Sequence, residues 1–183
     1  MHPALIRFVR VVEAVNYRVG RATMYLLFVM MAILLWSSVT KVFKVPAIWT
    51  LEMAQFTLVA YYLLGAPYSL QLGSNVRMDL LYGRWSRKAQ ARWDVLTIFC
   101  LIFYLGVMLY GAVESTIYSF EVGERNPTAW RPVLWPLKLI ICLAFVLMIL
   151  QALAHLIRDA AILRGIDLGG EPAGAEKTTA EVL

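Results

Sequence analysis

Four long apolar stretches constrain this sequence more than any other feature. A helix needs about 20 mainly apolar residues to cross the hydrocarbon core of a bilayer. Backbone amides cannot stay unpaired in lipid, so each stretch of that length is expected to be a helix. The sequence therefore predicts an all-α integral membrane fold, with a single membrane domain over residues 1–164. The four predicted transmembrane helices cover residues 22–43, 49–72, 95–120 and 133–157.

The composition also indicates a lipid environment. Hydrophobic residues make up 61% of the 183 residues and charged residues 16%, whereas soluble domains have about 45–50% and about 25%. The net charge of +5 flanks the apolar stretches, which favours anionic lipid headgroups over nucleic acid as the partner. The tail at 165–183 is rich in Gly, Ala, Thr and Glu, and we expect it to be disordered.

The distribution of lysine and arginine predicts the orientation. Twelve of the 17 cationic residues lie in the N-terminal segment, in the loop after the second stretch and in the C-terminal tail. The two remaining loops share the other five. Because cytoplasmic segments carry the excess of Lys and Arg, we expect both termini and the loop at 74–94 to be cytoplasmic.

The segment after the second stretch is amphipathic. As a helix over residues 76–93, it gathers its apolar side chains on one side and most of its cations on the other, which is typical of a helix that lies in the membrane interface. We name it the arm, and we expect its cations to bind anionic headgroups. Its predicted lipid contacts are Met78, Leu81, Tyr82, Trp85 and Trp93 on the apolar side and Arg77, Arg84, Arg87 and Lys88 on the charged side.

The N-terminal segment has the same pattern. It predicts an interfacial helix over residues 4–20 that leads into the first span. Its apolar stripe consists of Leu5, Phe8, Val9, Val12, Val15 and Val19. Anchoring in the membrane explains both amphipathic helices, and the alternative is that one or both also dock a partner protein.

The sequence has no motif for catalysis or for a cofactor. It lacks the nucleophile elbow, the metalloprotease helix, the phosphate loop and the dinucleotide fingerprint. Cys100 and Cys142 form no CxxC pair, and in apolar stretches they are expected to be small buried hydrophobes. A bis-histidine haem needs two histidines within the spans, and His2 lies at the terminus. We therefore expect no enzymatic activity, no cofactor and no metal.

A few polar residues in or beside the apolar stretches are the candidate functional residues, because ionisable groups in a membrane are costly. Glu52 could complement the dipole of the second helix, and Glu114 could pair with Lys138 or face another subunit. Gln151 and His155 are four residues apart and could bond to each other or to a neighbouring helix. The predicted polar contacts with another subunit are Glu52, Asp79, Glu114, Gln151 and His155.

The chain lacks the parts of an independent transporter. An ion-coupled carrier usually has a polar site at the bilayer midplane with broken helices, and the first two stretches have no charge there. The loops opposite the basic side, near 44–48 and 121–131, are too short to fold as binding domains. Gly65, Gly106 and Gly111 predict close packing of helices. Together these features favour a subunit of a larger assembly.

Several loose motifs occur in a fixed order along the chain. Glu52 opens the second span, the segment NVRMDL at 75–80 follows that span, and Asn126-Pro127, Trp130-Arg131-Pro132 and Pro136 precede the fourth. With the four spans, these motifs resemble the small membrane subunit of tripartite ATP-independent periplasmic (TRAP) transporters, the DctQ-like family. The family commonly has a histidine where this sequence has Asn75, which could still cap the arm helix.

The resemblance implies a function in the bacterial inner membrane. It implies a sodium-coupled secondary transporter that imports an organic acid. A large elevator-type membrane subunit would carry the substrate and sodium sites, and a periplasmic binding protein would deliver the substrate. The small subunit would scaffold the large one and help to form the docking surface. The alternatives are a stand-alone homodimeric carrier or exporter and the membrane anchor of a redox complex.

Overall fold

The structure, a computed structural model, describes residues 3–45, 47–72 and 87–163. Within these ranges the chain is helical, apart from turns and an isolated β-bridge between Arg125 and Val133. The all-α prediction is therefore confirmed. The described helices are α1 (Pro3–Val42), α2 (Thr50–Gln71), α3 (Arg87–Val122) and α4 (Trp135–Leu163).

Three of these helices have the length and hydropathy of a membrane span, over Leu5–Val42, Leu96–Val122 and Trp135–Arg158. α2, the predicted second span, is not among them. Its N-terminal turn buries Thr50 and Glu52, and its last turn buries Gln71. Polar side chains that face other helices lower the mean hydropathy of a helix without exposing polar atoms to lipid.

The N-terminal segment is part of α1 and does not form a helix of its own. The predicted division between an interfacial helix at 4–20 and a span from 22 is wrong, because one helix of 40 residues runs through both. Gly20 alone does not end a helix, since an internal glycine costs only about 1 kcal/mol. At 1.5 Å per residue α1 is about 60 Å long, which exceeds a bilayer of about 40–45 Å.

The arm lies mostly outside the described residues. This holds for the whole of Asp79 and for the side chains of all its predicted lipid contacts, including those of Arg87, Lys88 and Trp93. The described backbone from residue 87 is helical and continues without a break to Val122. The predicted end of the arm at 93 is therefore not a helix boundary, because the sequence there has no proline or glycine. The tail at 165–183 is likewise outside the described residues.

The helices pack as a group of three with a fourth at its side. α1 and α2 run antiparallel and both contact α4, whereas α3 packs mainly against α4. A cluster of buried apolar residues lies where the N-terminal part of α1 meets the C-terminal part of α4. It consists of Val9, Val12 and Ala154, flanked by Leu150 and Ile157.

Gly20 sets how closely α1 and α2 can cross. A Cβ atom at Gly20 would lie 2.4 Å from Cβ and Cγ of Tyr68, much closer than carbon atoms can pack. At Gly65, on the facing side of the same crossing, an added Cβ would make an ordinary contact of 3.9 Å with Thr23. Gly106 and Gly111 have no atom of the described chain within 4 Å of an added Cβ, so close packing is seen at Gly65 and not at these two.

Replacing Gly20 with alanine should destabilise the folded chain. The methyl group would overlap the first carbons of the Tyr68 side chain, and overpacking costs about 1–3 kcal/mol. Gly111→Ala is the matched control, because open space surrounds its added Cβ and alanine favours a helix by about 1 kcal/mol over glycine. Thermal unfolding of the purified chain in detergent measures both variants. Equal melting temperatures would contradict the close crossing at Gly20.

Candidate functional site

Two buried polar contacts join the N-terminal part of α1 to the C-terminal part of α4. The Asn16 side-chain amide donates from Nδ2 to Oε1 of Gln151 at 2.6 Å. One turn away, the Arg158 guanidinium forms an ion pair of 2.7 Å with Glu13. We call Glu13, Asn16, Gln151 and Arg158, with His155 between them on α4, the polar clasp. It ties the first helix to the last.

The last turn of α2 also meets the polar clasp. His155 Nε2 lies 3.1 Å from the carbonyl oxygen of Leu70. The next residue, Gln71, is 1% exposed, and its two side-chain amide atoms have no hydrogen-bond partner among the described residues. Gln151 and His155 thus each contact a neighbouring helix, which was one of the two alternatives that their spacing predicts.

Sequence reasoning missed Glu13 and Asn16. On the N-terminal part of α1 the buried side chains include Val9, Val12, Glu13 and Asn16, which lie at helical spacing on one face. The predicted apolar stripe is rotated from this face by roughly 50°, at 100° per residue. Its members Leu5, Phe8 and Val15 are 40%, 37% and 42% exposed. The missed signal was the pair of polar residues four and seven positions after Val9, in register with the buried face.

At the other end of α2, Glu52 occupies the first turn, where its carboxylate can complement the helix dipole as predicted. Glu52 is 5% exposed, and its Oε2 has no hydrogen-bond partner among the described residues. The neighbouring Thr50 donates from Oγ1 to the Ala47 carbonyl at 2.8 Å and lies 3.1 Å from Ser37 Oγ of α1. This end of α2 is therefore fixed against the C-terminal part of α1.

The turn between α3 and α4 is ordered by backbone hydrogen bonds. Gly123 takes a left-handed conformation with φ of 63°, and the Glu124 amide donates to the Ser119 carbonyl at 3.0 Å. This is the Schellman ending of a helix, in which glycine is favoured because it has no Cβ. Further along, the Leu134 amide donates to the Glu124 carbonyl at 3.2 Å, which closes the turn.

Lys138 belongs to this turn and not to Glu114. Its Nζ lies 2.6 Å from Glu124 Oε2 and donates to the Ser115 carbonyl at 3.2 Å. The hydrogen bond from Lys138 holds the pKa of Glu124 below its usual range. The alternative in which Lys138 pairs with Glu114 is therefore wrong.

Glu114 lies on the side of α3 away from α4. It is exposed, and its Oε1 accepts a hydrogen bond of 2.6 Å from the Tyr110 hydroxyl one turn earlier. None of the ion pairs among the described residues includes Glu114. Cys100, predicted to be buried, is also exposed on α3, whereas the half-buried Cys142 contacts Thr116 at 3.3 Å.

An apolar crevice separates the N-terminal half of α2 from the start of α4. Its volume is about 620 Å³. Met53, Phe56 and Ala60 line it on the α2 side, and Pro132 and Leu137 line it on the opposite side. Such a lining suits acyl chains or apolar side chains and offers few groups that could orient a polar substrate.

One family model matches most of the chain. Residues 30–161 match the model described as "Tripartite ATP-independent periplasmic transporters, DctQ component". The chain belongs to the DctQ family. Searches of the curated proteins and of the solved structures return no match.

The DctQ component is thus a membrane protein and part of a transporter. Its three apolar helices and its family indicate a protein of the inner membrane. The family also implies partnership with a large TRAP membrane subunit and a periplasmic binding protein. The family is one of transporter components and not of enzymes. Among the described residues, no group of three or more His, Cys, Asp or Glu side chains could hold a metal ion.

Only part of the polar clasp lies in the region that matches the DctQ component. The match starts within α1 at residue 30 and ends at residue 161. Gln151 and Arg158 therefore lie inside the matched region, and their partners Asn16 and Glu13 lie before it. Of the five predicted subunit-contact residues, Gln151 and His155 come together at the clasp, whereas Glu52 and Glu114 lie apart. Asp79 and Asn75 fall outside the described residues.

The buried amide pair should show strong coupling. Asn16→Leu or Gln151→Leu each leaves one buried amide without its partner, which costs about 1–3 kcal/mol. The double variant removes both amides and should lose less than the sum of the two single losses. Unfolding free energies in mixed detergent give the coupling, with Gln55→Leu on the exposed side of α2 as the control. Strictly additive losses would contradict a direct bond.

Proposed function

We propose that this DctQ component is the small scaffolding subunit of a sodium-coupled TRAP transporter, which imports an organic acid delivered by a periplasmic binding protein. The family match carries the proposal. The fold supports it, because α3 packs mainly on α4 and has one side that no described residue covers. The substrate and sodium sites would belong to the large subunit, and this chain would hold that subunit in place and help to form the docking surface.

We further propose that α2 is a fourth span. It runs beside α1 from the Thr50–Ser37 contact to the Tyr68–Gly20 crossing. On α1 these points are 17 residues apart, about 25 Å at 1.5 Å per residue. α2 would then cover most of the depth of a hydrocarbon core of about 30 Å. Four spans place both chain ends on one side, and the excess of Lys and Arg assigns that side to the cytoplasm.

The orientation predicts which residues an impermeant reagent can reach. With both native cysteines replaced by serine, Ala129→Cys at an exposed position of the α3–α4 turn should react with a charged maleimide on spheroplasts. A cysteine added after Leu183 should react only once the membrane is broken. The opposite pattern would contradict the orientation, and labelling of both on intact spheroplasts would contradict α4 as a span.

The arm would hold this scaffold on the cytoplasmic leaflet. Its cations, Arg77, Arg84, Arg87 and Lys88, would bind anionic headgroups, each contributing about 1 kcal/mol near the membrane surface. The tryptophans Trp85 and Trp93 would sit at the headgroup level. Quenching of Trp85 and Trp93 by brominated lipid in the reconstituted chain, with the other four tryptophans replaced by phenylalanine, tests this contact, since charge reversal of Arg84 and Arg87 should reduce quenching only when the vesicles contain anionic lipid.

Transport assays test the scaffolding function. The chain should co-purify with the large membrane subunit of its transporter. In proteoliposomes, uptake of an organic acid should need both membrane subunits, the binding protein and an inward sodium gradient. The matched control is the same proteoliposome with the small subunit left out, which should take up nothing above background. Uptake by the small chain alone would support the stand-alone carrier, and a haem absorption band would support the redox anchor.

A further inference from the structure

α3 presents one face that no described residue covers. Its packed side holds Leu105 and Ser119, which are 2% and 0% exposed, whereas Phe103 and Tyr110 on the other side are 71% and 67% exposed. At 100° per residue these exposed side chains align along the helix. We call this surface the free face of α3, and it consists of Phe99, Phe103, Gly106, Tyr110, Glu114 and Ile117.

Glu114 lies within the apolar depth of the membrane. Thr116, two residues further along α3, contacts Cys142 of the antiparallel α4, which is four residues inside Lys138. The Lys138 ammonium bridges the Ser115 carbonyl of α3 and Glu124 in the turn. Glu114 is therefore about six residues, or roughly 9 Å, deeper than Lys138. A glutamate side chain is too short to bring its carboxylate to the headgroups from that depth.

Lipid is a poor cover for this carboxylate. Carboxylates within a membrane nearly always face other protein groups and mark functional positions. A carboxylate offers about four acceptor sites, and the Tyr110 hydroxyl occupies one of them. By contrast, the exposed residues of α1 from Met24 to Trp36 are all uncharged and suit lipid.

We propose that the free face of α3 docks on the large membrane subunit of the transporter, and that a donor side chain of that subunit binds Glu114. The inference rests on the proposed scaffolding function and adds to it the surface that makes the contact. Gly106 supports it, because open space next to a glycine lets the backbone of another helix approach closely. The exposed aromatic residues on either side of Gly106 would fill the grooves of that helix.

A second copy of this chain is a poorer occupant. In a two-fold dimer the same surface lies on both partners, so that the two Glu114 carboxylates would face one another. The free face contains no lysine or arginine that could neutralise them. A different chain is not bound by this symmetry and can place a donor opposite Glu114, and the large subunit is the membrane partner that the family implies.

Co-purification measures the contribution of Glu114. The tagged small subunit is expressed with the large subunit. The Glu114→Leu variant should recover roughly five- to thirty-fold less large subunit than the wild type, which is the range expected for losing a hydrogen bond between membrane helices. Glu114→Gln keeps an acceptor oxygen without the charge, so its recovery of the large subunit should lie between that of Glu114→Leu and that of the wild type. Tyr110→Phe should weaken recovery, whereas Tyr62→Phe on α2, a tyrosine of the same 67% exposure, should not.

Cross-linking locates the surface independently. In a background without Cys100 and Cys142, a cysteine at Gly106 should cross-link to the large subunit in membranes. A cysteine at Phe28, on the exposed side of α1, is the control and should not. Glu114→Leu should leave the melting temperature of the isolated small subunit unchanged or raised, because it removes a charge from an apolar surface. A lower melting temperature would mean that Glu114 stabilises the chain itself, and would overturn the inference.

The outcomes separate this inference from the function on which it rests. If the large subunit co-purifies equally with wild type and Glu114→Leu, or if Gly106→Cys stays unlinked in an intact complex, the free face is not the interface and the scaffolding function stands. If Gly106→Cys links two copies of this chain, the face is a dimer surface and the inference fails. If the wild type recovers no large subunit, the proposed function fails.

Discussion

The pairing of buried polar groups between α1 and α4 is the constraint on which this small membrane fold depends. Helices in lipid gain little from apolar contact with each other, because acyl chains are as apolar as leucine. The cluster around Val9 and Ala154 is small, and beside it the Asn16–Gln151 bond and the Glu13–Arg158 ion pair fix how the first and last helices meet. Breaking either pair would leave a buried polar group without a partner, and this cost makes the arrangement specific.

The other helices are placed by that pairing. α2 is held at its C-terminal end by the clasp, through Leu70, and by the crossing of Tyr68 with Gly20, and at its N-terminal end by the contact of Thr50 with Ser37. α3 follows the short ordered turn and is attached mainly to α4, with Lys138 binding both Ser115 and Glu124. The result is a chain whose own contacts use only part of its surface. The proposed interface with the large subunit belongs to this remaining surface.

Much of the architecture could be predicted from the sequence, because length and hydropathy are local properties. The four apolar stretches correspond to four helices, and the motifs around Glu52 and the α3–α4 turn indicated the family that the match to residues 30–161 shows. Helix boundaries were harder to predict from the sequence. The residues between 20 and 22, or between 93 and 95, contain nothing that ends a helix, and tertiary contacts decide whether the helix continues. The partners of Glu13, Asn16 and Lys138 depend on which helix faces lie together. For α1, hydrophobic periodicity alone predicted a buried face that is about 50° away, around the helix axis, from the one in the structure.

The unbroken helix from Arg87 to Val122 has a mechanical consequence. Its 36 residues form a rod about 54 Å long, with the end of the basic arm at one end and the α3–α4 turn at the other. Such a rod acts as a lever, since a tilt of about 10° displaces its far end by roughly 9 Å. If α3 crosses the membrane with the arm on one leaflet, as proposed, a tilt there becomes a sideways displacement in the other leaflet, without a hinge in between. A change in how the arm rests on the lipid would then move the α3–α4 turn on the opposite side of the membrane.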